Sequence, residues 1–236
     1  MFETITINFQ KPIPLFPLET CILLPHSVAP LHIFEDRYRR LAEDILDSDG
    51  LVVMALFERK PSEEEYLHGQ PTLRPFGCLG YVEHYDRLPD GRYMVLLQGV
   101  CRVRLEEELI SEPYRTARVS PHGLADAEDQ VLLHQRAYLS EILANKKLPQ
   151  LEHVQNVYHI MERQIPTAAL VDLLSTFVFE DTESIYGLLE EENPAVRAEL
   201  LIDRIQFLVD ILPLQNLNSD DEDDPADDQP WDGRDA

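Results

Sequence analysis

Apolar residues change their spacing several times along the 236-residue chain, and each change marks a different kind of structure. In the first 33 residues Leu15, Leu18, Ile22 and Leu24 sit among prolines at 12, 14, 17, 25 and 30. Proline removes a backbone donor, so this stretch predicts edge strands or irregular extended segments. From Phe34 the period lengthens. Phe34, Tyr38, Leu41, Ile45 and Leu46 recur at helical spacing with charges between them, and Gly50 supplies the stop. Leu51 to Phe57 is a short unbroken apolar run, the pattern of a buried strand. Residues 58–75 are charged and contain proline; they read as a loop, with Glu63, Glu64 and Glu65 as solvated charges.

Residues 77–119 read as a β-meander. Gly77 to Arg87 and Arg92 to Leu97 flank Leu88-Pro89-Asp90-Gly91, and Asp-Gly is a strong hairpin signal. Val100 to Leu105 alternates, with Val100, Val103 and Leu105 apolar against Arg102 and Arg104; Tyr114 to Val119 is a further strand. Beyond Gly123 the pattern is helical. Helices are predicted over Asp126 to Lys147, Leu151 to Gln164 and Thr167 to Phe179. A fourth follows Asp181 as N-cap, and a fifth, capped by Asn193 with Pro194 in its first turn, runs to Leu212. No internal repeat is present.

Charge alters the picture most at the end of the chain. The net charge is -24; residues 219–236 hold nine acids and one arginine, −8 of that total, which leaves −16 on residues 1–218. The tail from 213 to 236 is too polar to bury the area that ordering requires and is expected to be disordered. Its only tryptophan, Trp231, lies in the segment Asp227 to Asp232, which reads either as solubilising sequence or as a short motif able to dock on a basic surface such as Arg37–Arg40. A chain this acidic repels phosphate and anionic lipid, so nucleic acid and membrane are poor partners. Cys21, Cys78 and Cys101 form no C-x-x-C spacing, no apolar run approaches the length of a membrane helix, and no signal-peptide pattern opens the chain. Together these suggest a cytoplasmic protein.

The segment Ile13-Pro-Leu-Phe-Pro-Leu18, the run Leu23 to Pro25, the step Pro30 to Glu35 and Arg37-Tyr-Arg39 resemble the opening of the Lon protease N-terminal domain. Asp36 stands where that family usually has proline. A second match follows in order: the glycine strand from Gly77, the Asp90-Gly91 turn, Gly99 to Arg102, and the Pro113-Tyr114 strand. Leu188 to Arg197 resembles the helical half of extended members. The resemblance covers residues 11–212. It implies an α+β fold: a PUA-like β pseudo-barrel (residues 1–122), a helical bundle (123–212) and the acidic tail (213–236). It also implies a module that recognises unfolded or specific polypeptide clients, an adaptor or substrate-recognition unit in protein quality control, working with a protease or ATPase partner.

Chemistry supports a binding reading. No glycine is followed by lysine, so there is no P-loop, and no serine sits in a Gly-x-Ser-x-Gly elbow. His84 with Asp86, and His159, are the residues a hydrolase would use, yet ordinary strand and helix polarity accounts for them. PUA-like folds also bind RNA, which the acidic charge opposes. We expect no catalytic residue, cofactor or metal. Recognition of an unfolded chain needs an apolar patch with a polar rim. The best local candidate is the step from Leu31 to Arg40. Phe34 and Tyr38 read either as polypeptide contacts or as anchors of the helix on the β-core; Asp36, Arg37 and Arg40 read as contacts or as solvated charge. Glu35–Arg39 has the spacing of an i,i+4 ion pair.

Overall fold

The computed structural model describes residues 7–109, 113–123, 132–143 and 165–219. The helix expected over Leu151 to Gln164, both ends of the one expected over Asp126 to Lys147, and the tail beyond Ser219 lie outside the described residues.

Six strands form one mixed sheet: β1 (Ile13–Leu18), β2 (Val28–Ile33), β3 (Leu51–Leu56), β4 (Phe76–Arg87), β5 (Tyr93–Leu109) and β6 (Thr116–Pro121). Their order is β2-β5-β4-β3-β1-β6, and β6 returns to pair with β5. Strands β1, β3, β4, β5 and β6 therefore close a ring, which removes most free edges. The long β5 makes this possible. Its first part (93–98) pairs with β2 and its second (103–109) with β6. The two strands expected at Arg92 to Leu97 and Val100 to Leu105 are thus one. The intervening turn is where the Asp-Gly signal placed it, with Gly91 at φ 83° and Leu88 N–H donating to Arg92 O at 2.8 Å.

Strand β3 has no polar face because both of its faces are covered. Leu51 and Val53 join Ile13, Leu15, Leu79 and Val103 inside the ring. Val52, Met54 and Leu56 point the other way, against α1 (Asp36–Leu46). That helix buries Tyr38, Leu41, Ala42 and Ile45. It packs on β1 and β2.

The link from β1 to β2 ends in a constrained turn. Ser27 N–H donates to Leu24 O (3.2 Å), Pro25 occupies the second position, and His26 takes a left-handed φ of 65°. His26 N–H donates to Gly99 O, and Gly99 N–H to Ser27 O, both at 2.8 Å. Two residues thus oppose one, a G1-type bulge with histidine in the place glycine usually takes.

Residues 58–75 are not all loop. Glu63–His68 form a short helix, α2, whose N-cap Ser62 accepts from Glu65 N–H while the Glu65 side chain accepts from Ser62 N–H. Glu65, expected to be a solvated charge, also pairs with Arg59.

Four further helices follow among the described residues: α3 (Leu133–Leu143), α4 (Thr167–Val178), α5 (Thr182–Glu190) and α6 (Pro194–Ser219). The capping signals hold: Ser184 N–H donates to Asp181 Oδ1 (2.8 Å) and Ala195 N–H to Asn193 Oδ1 (2.9 Å). Helix α6 continues past its expected end at Leu212. Leu139, Leu170, Leu174, Leu201 and Ile205 form a core of α3, α4 and α6. Helix α5 instead sends Tyr186 and Leu189 into the core shared by β2, β3 and α1. A charged cluster reinforces this junction. Arg102, expected on a polar strand face, is only 4% exposed and makes a two-pronged ion pair with Asp172 of α4. Alternation failed there because helices cover that face.

Candidate functional site

Between β1 and β2 lies an open cleft of about 460 Å³. One wall is residues 16–21 and the other residues 30–35, with Tyr38 and Tyr66 between them. A second hollow of about 480 Å³ shares Pro17, Tyr38 and Tyr66 with the first, and continues past Leu67 toward Tyr114 and Arg115. The two form one groove. Its walls come from the proline-bearing extended segments of the sequence, which hold backbone in place without closing the sheet over it.

The residues expected at the site occupy different depths. Phe34 precedes α1 instead of lying on it, and is 60% exposed on the cleft wall. Tyr38 is 4% exposed, its ring 4.5 Å from that of Phe16. Of the two anchors weighed from the sequence, only Tyr38 anchors; Phe34 points to solvent near His32, their rings 5.9 Å apart. Asp36 is exposed and holds Arg39 at 2.5 Å, which replaces the expected Glu35–Arg39 pair. Arg40 is exposed and pairs with Glu43 and Asp44, outside both hollows.

Arg37 is not a solvated charge. Its Nη1 donates to Tyr66 O (2.9 Å) and its Nε to Glu35 Oε2 (3.1 Å). The guanidinium lies 4.2 Å from the Tyr66 ring centroid and 4.7 Å from that of Tyr38. Tyr66 OH closes the set by donating to Glu35 Oε1 at 2.6 Å. Glu35, Arg37 and Tyr66 thus fasten α2 to the start of α1 and set the groove's shape. Sequence reasoning missed Tyr66 and the neighbouring Leu67, 54% exposed, although Ser62-x-x-Glu65 carries the capping-box signature.

Proton affinities follow burial. Burial pushes the Tyr38 phenol well above its ordinary value and, with the Asp44 hydrogen bond, Tyr114 to about 12. Burial also raises Cys101 to about 11. A raised folded-state pKa contributes stability that is fully present below the unfolded value and lost as pH rises through the folded one. For Tyr114 the window runs from about 10 to about 12. The urea midpoint should therefore hold steady from about pH 7 to 8, then fall steeply above about pH 10. A midpoint that rises there contradicts this packing.

His84 and Asp86 lie on one face of β4, 3.7 Å apart and both exposed; His159 lies outside the described residues. Among the described residues no group of three or more His, Cys, Asp or Glu could hold a metal ion, and no helix is long and apolar enough to cross a membrane. What the groove offers is apolar surface, peptide backbone and a rim of paired charges.

Residues 12–206 match the family model described as the ATP-dependent protease La (Lon) substrate-binding domain. Among curated relatives the chain is similar to a Lon protease of Desulfosudis oleivorans: 21% identical over 227 residues, 89% of this chain and 25% of that protein. It is 32% identical over 110 residues to Lon protease 2 of Sorangium cellulosum, 45% of this chain and 13% of that one. The chain spans about a quarter or less of these relatives' length. Among solved structures it resembles the N-terminal domain of a Mycobacterium avium complex Lon protease, at TM-score 0.59 and 18% identity over 83% of this chain and 98% of that one. It also resembles a Lon N-terminal domain protein from Xanthomonas campestris, at TM-score 0.52 and 22% identity over 82% and 98%. At these identities the structural likeness carries the fold alone.

Proposed function

The chain belongs to the ATP-dependent protease La (Lon) substrate-binding domain family, and from that premise we propose that it is a non-catalytic polypeptide-recognition module whose binding surface is the groove between β1 and β2. The observation that carries this reading is the open apolar cleft with Phe34 exposed on its wall. An unfolded chain is told from a folded one by its exposed apolar groups, and a cleft of this kind can take them. Within it Phe34 contacts the client, Tyr38 forms the floor and Arg37 holds α1 and α2 in place. Asp36 and Arg40 form a charged shoulder outside the groove. The module acts as an adaptor in protein quality control, presenting clients to a protease or ATPase partner.

The test is affinity for a permanently unfolded, reduced and capped protein, with a folded control. Wild type should bind the unfolded chain selectively. Phe34→Asp, which alters an exposed side chain, should weaken binding about tenfold or more with an unchanged urea midpoint. Arg40→Glu should bind as wild type does. Equal binding by Phe34→Asp, or no preference for the unfolded chain, defeats the reading.

A further inference from the structure

We propose that the cleft holds its client as an added β-strand on the free edge of β2, through the outward peptide groups of Val28, Pro30 and His32. This rests on the polypeptide-recognition reading and specifies how that site holds its ligand. Among the described residues strand β2 ends the sheet and pairs only with β5. The bulge at Gly99 sets the phase of that pairing. Gly99 N–H donates to Ser27 O, so residues 27, 29, 31 and 33 face β5 with their peptide groups. Those of 28, 30 and 32 therefore point away from it. Among the described residues no backbone hydrogen bond outside the β5 pairing engages them. The cleft borders six consecutive residues, Pro30 to Glu35, so it runs along the strand's edge and not beneath one of its faces.

The opposite wall is blunt. Leu15 N–H donates to Arg115 O on one side of β1, and Leu18 O accepts from Phe57 N–H on the other. Pro17 therefore faces the cleft with a carbonyl and no donor. Donors and acceptors repeating every second residue along one wall match another extended backbone, and no small ligand repeats that pattern. The client's alternate side chains would rest on the Phe16–Tyr38 floor, which favours segments that alternate apolar and polar residues. Pro30 deletes the middle donor of the edge. This leaves the edge too weak for lasting aggregation, yet able to capture a chain reversibly.

The probe is a short fluorescein-labelled peptide alternating valine and serine, in three forms: unmodified, and N-methylated on either of its two sets of alternate amides. One methylated form should bind about tenfold more weakly than the other two. Amide exchange at Val28 and His32 should slow when the unmodified peptide binds. His32→Pro, which removes an outward donor without breaking the β5 ladder, should weaken binding about tenfold relative to His32→Val. Equal binding by all three peptides, with no protection at Val28 and His32, overturns strand addition and leaves polypeptide recognition standing. Failure of the unmodified peptide and of an unfolded protein alike removes both. Protection of these amides before any peptide is added means that a second copy or the chain itself occupies the edge, and also overturns the proposal.

Discussion

Replacing Asp172 with alanine should lower the free energy of unfolding by about 3–5 kcal/mol, read as a fall in the urea midpoint. Among the described residues Asp172 is the one carboxylate set between two buried guanidiniums. Arg102 reaches it from β5 through Nη1 (2.9 Å) and Nη2 (2.7 Å), and Arg197 from α6 through Nε at 3.5 Å. All three side chains are 4% exposed. Backbone carbonyls take further donors: Leu188 O accepts from Arg102, and Glu191 O and Glu192 O from Arg197 Nη1, while Arg197 Nε is buried with the Asp172 ion pair but no hydrogen bond. Burial, and then the neighbouring Arg102, pull Arg197 down to about 10, which still leaves it charged at neutral pH. Without Asp172 two positive charges face each other out of water. The loss should persist in high salt, because buried charges are poorly screened. Replacing all three residues with apolar ones of similar volume should cost far less, since the pairing offsets a desolvation penalty that the apolar set never incurs. Equal losses in the single and triple variants would instead assign the effect to packing.

Gly99→Ala should destabilise the chain by about 3 kcal/mol or more, with matching loss of polypeptide binding. A Cβ at Gly99 would stand 2.1 Å from Leu24 O and 2.9 Å from its carbonyl carbon. Those are backbone atoms of the turn that leads into β2, so no side-chain rotation relieves the clash. The turn must shift, and the cleft wall with it. Gly187→Ala provides the contrast. Nothing lies within 4 Å of a Cβ there, and the site is inside α5. The same change should stabilise by about 0.5–1 kcal/mol. If both variants behave alike, close approach at Gly99 is not what fixes the turn.

Local chemistry made much of this fold legible. The helical period placed Tyr38, Leu41 and Ile45 against the sheet, and Asp-Gly placed the β4–β5 turn. The caps at Asp181 and Asn193 placed two helix starts. What failed depended on partners distant in the chain. Arg102 breaks strand alternation because Asp172, 70 residues away, arrives to neutralise it, and nothing near Arg102 announces that. Arg37 looked like a surface charge for the same reason: the backbone carbonyl of Tyr66, 29 residues on, accepts a hydrogen bond from its guanidinium. Phe34 and Tyr38 could not be separated from spacing alone, since the helix start between them decides which ring turns inward. The missed helix α2 differs. Its capping box was readable, but the charges and prolines around it masked so short an element.

Cys21 provides the most direct measurement of where a client sits. It is solvent-exposed on the cleft wall, whereas Cys78 and Cys101 are buried. The cleft walls withhold enough water to raise the Cys21 thiol's pKa, so alkylation is best followed at mildly alkaline pH. The rate of Cys21 alkylation would be compared with and without a saturating amount of the reduced, capped unfolded protein. A slowing of about tenfold or more, absent with the folded control, is the result predicted for a client lying between β1 and β2. An unchanged rate while the unfolded chain is demonstrably bound would place recognition elsewhere on the molecule and contradict the account.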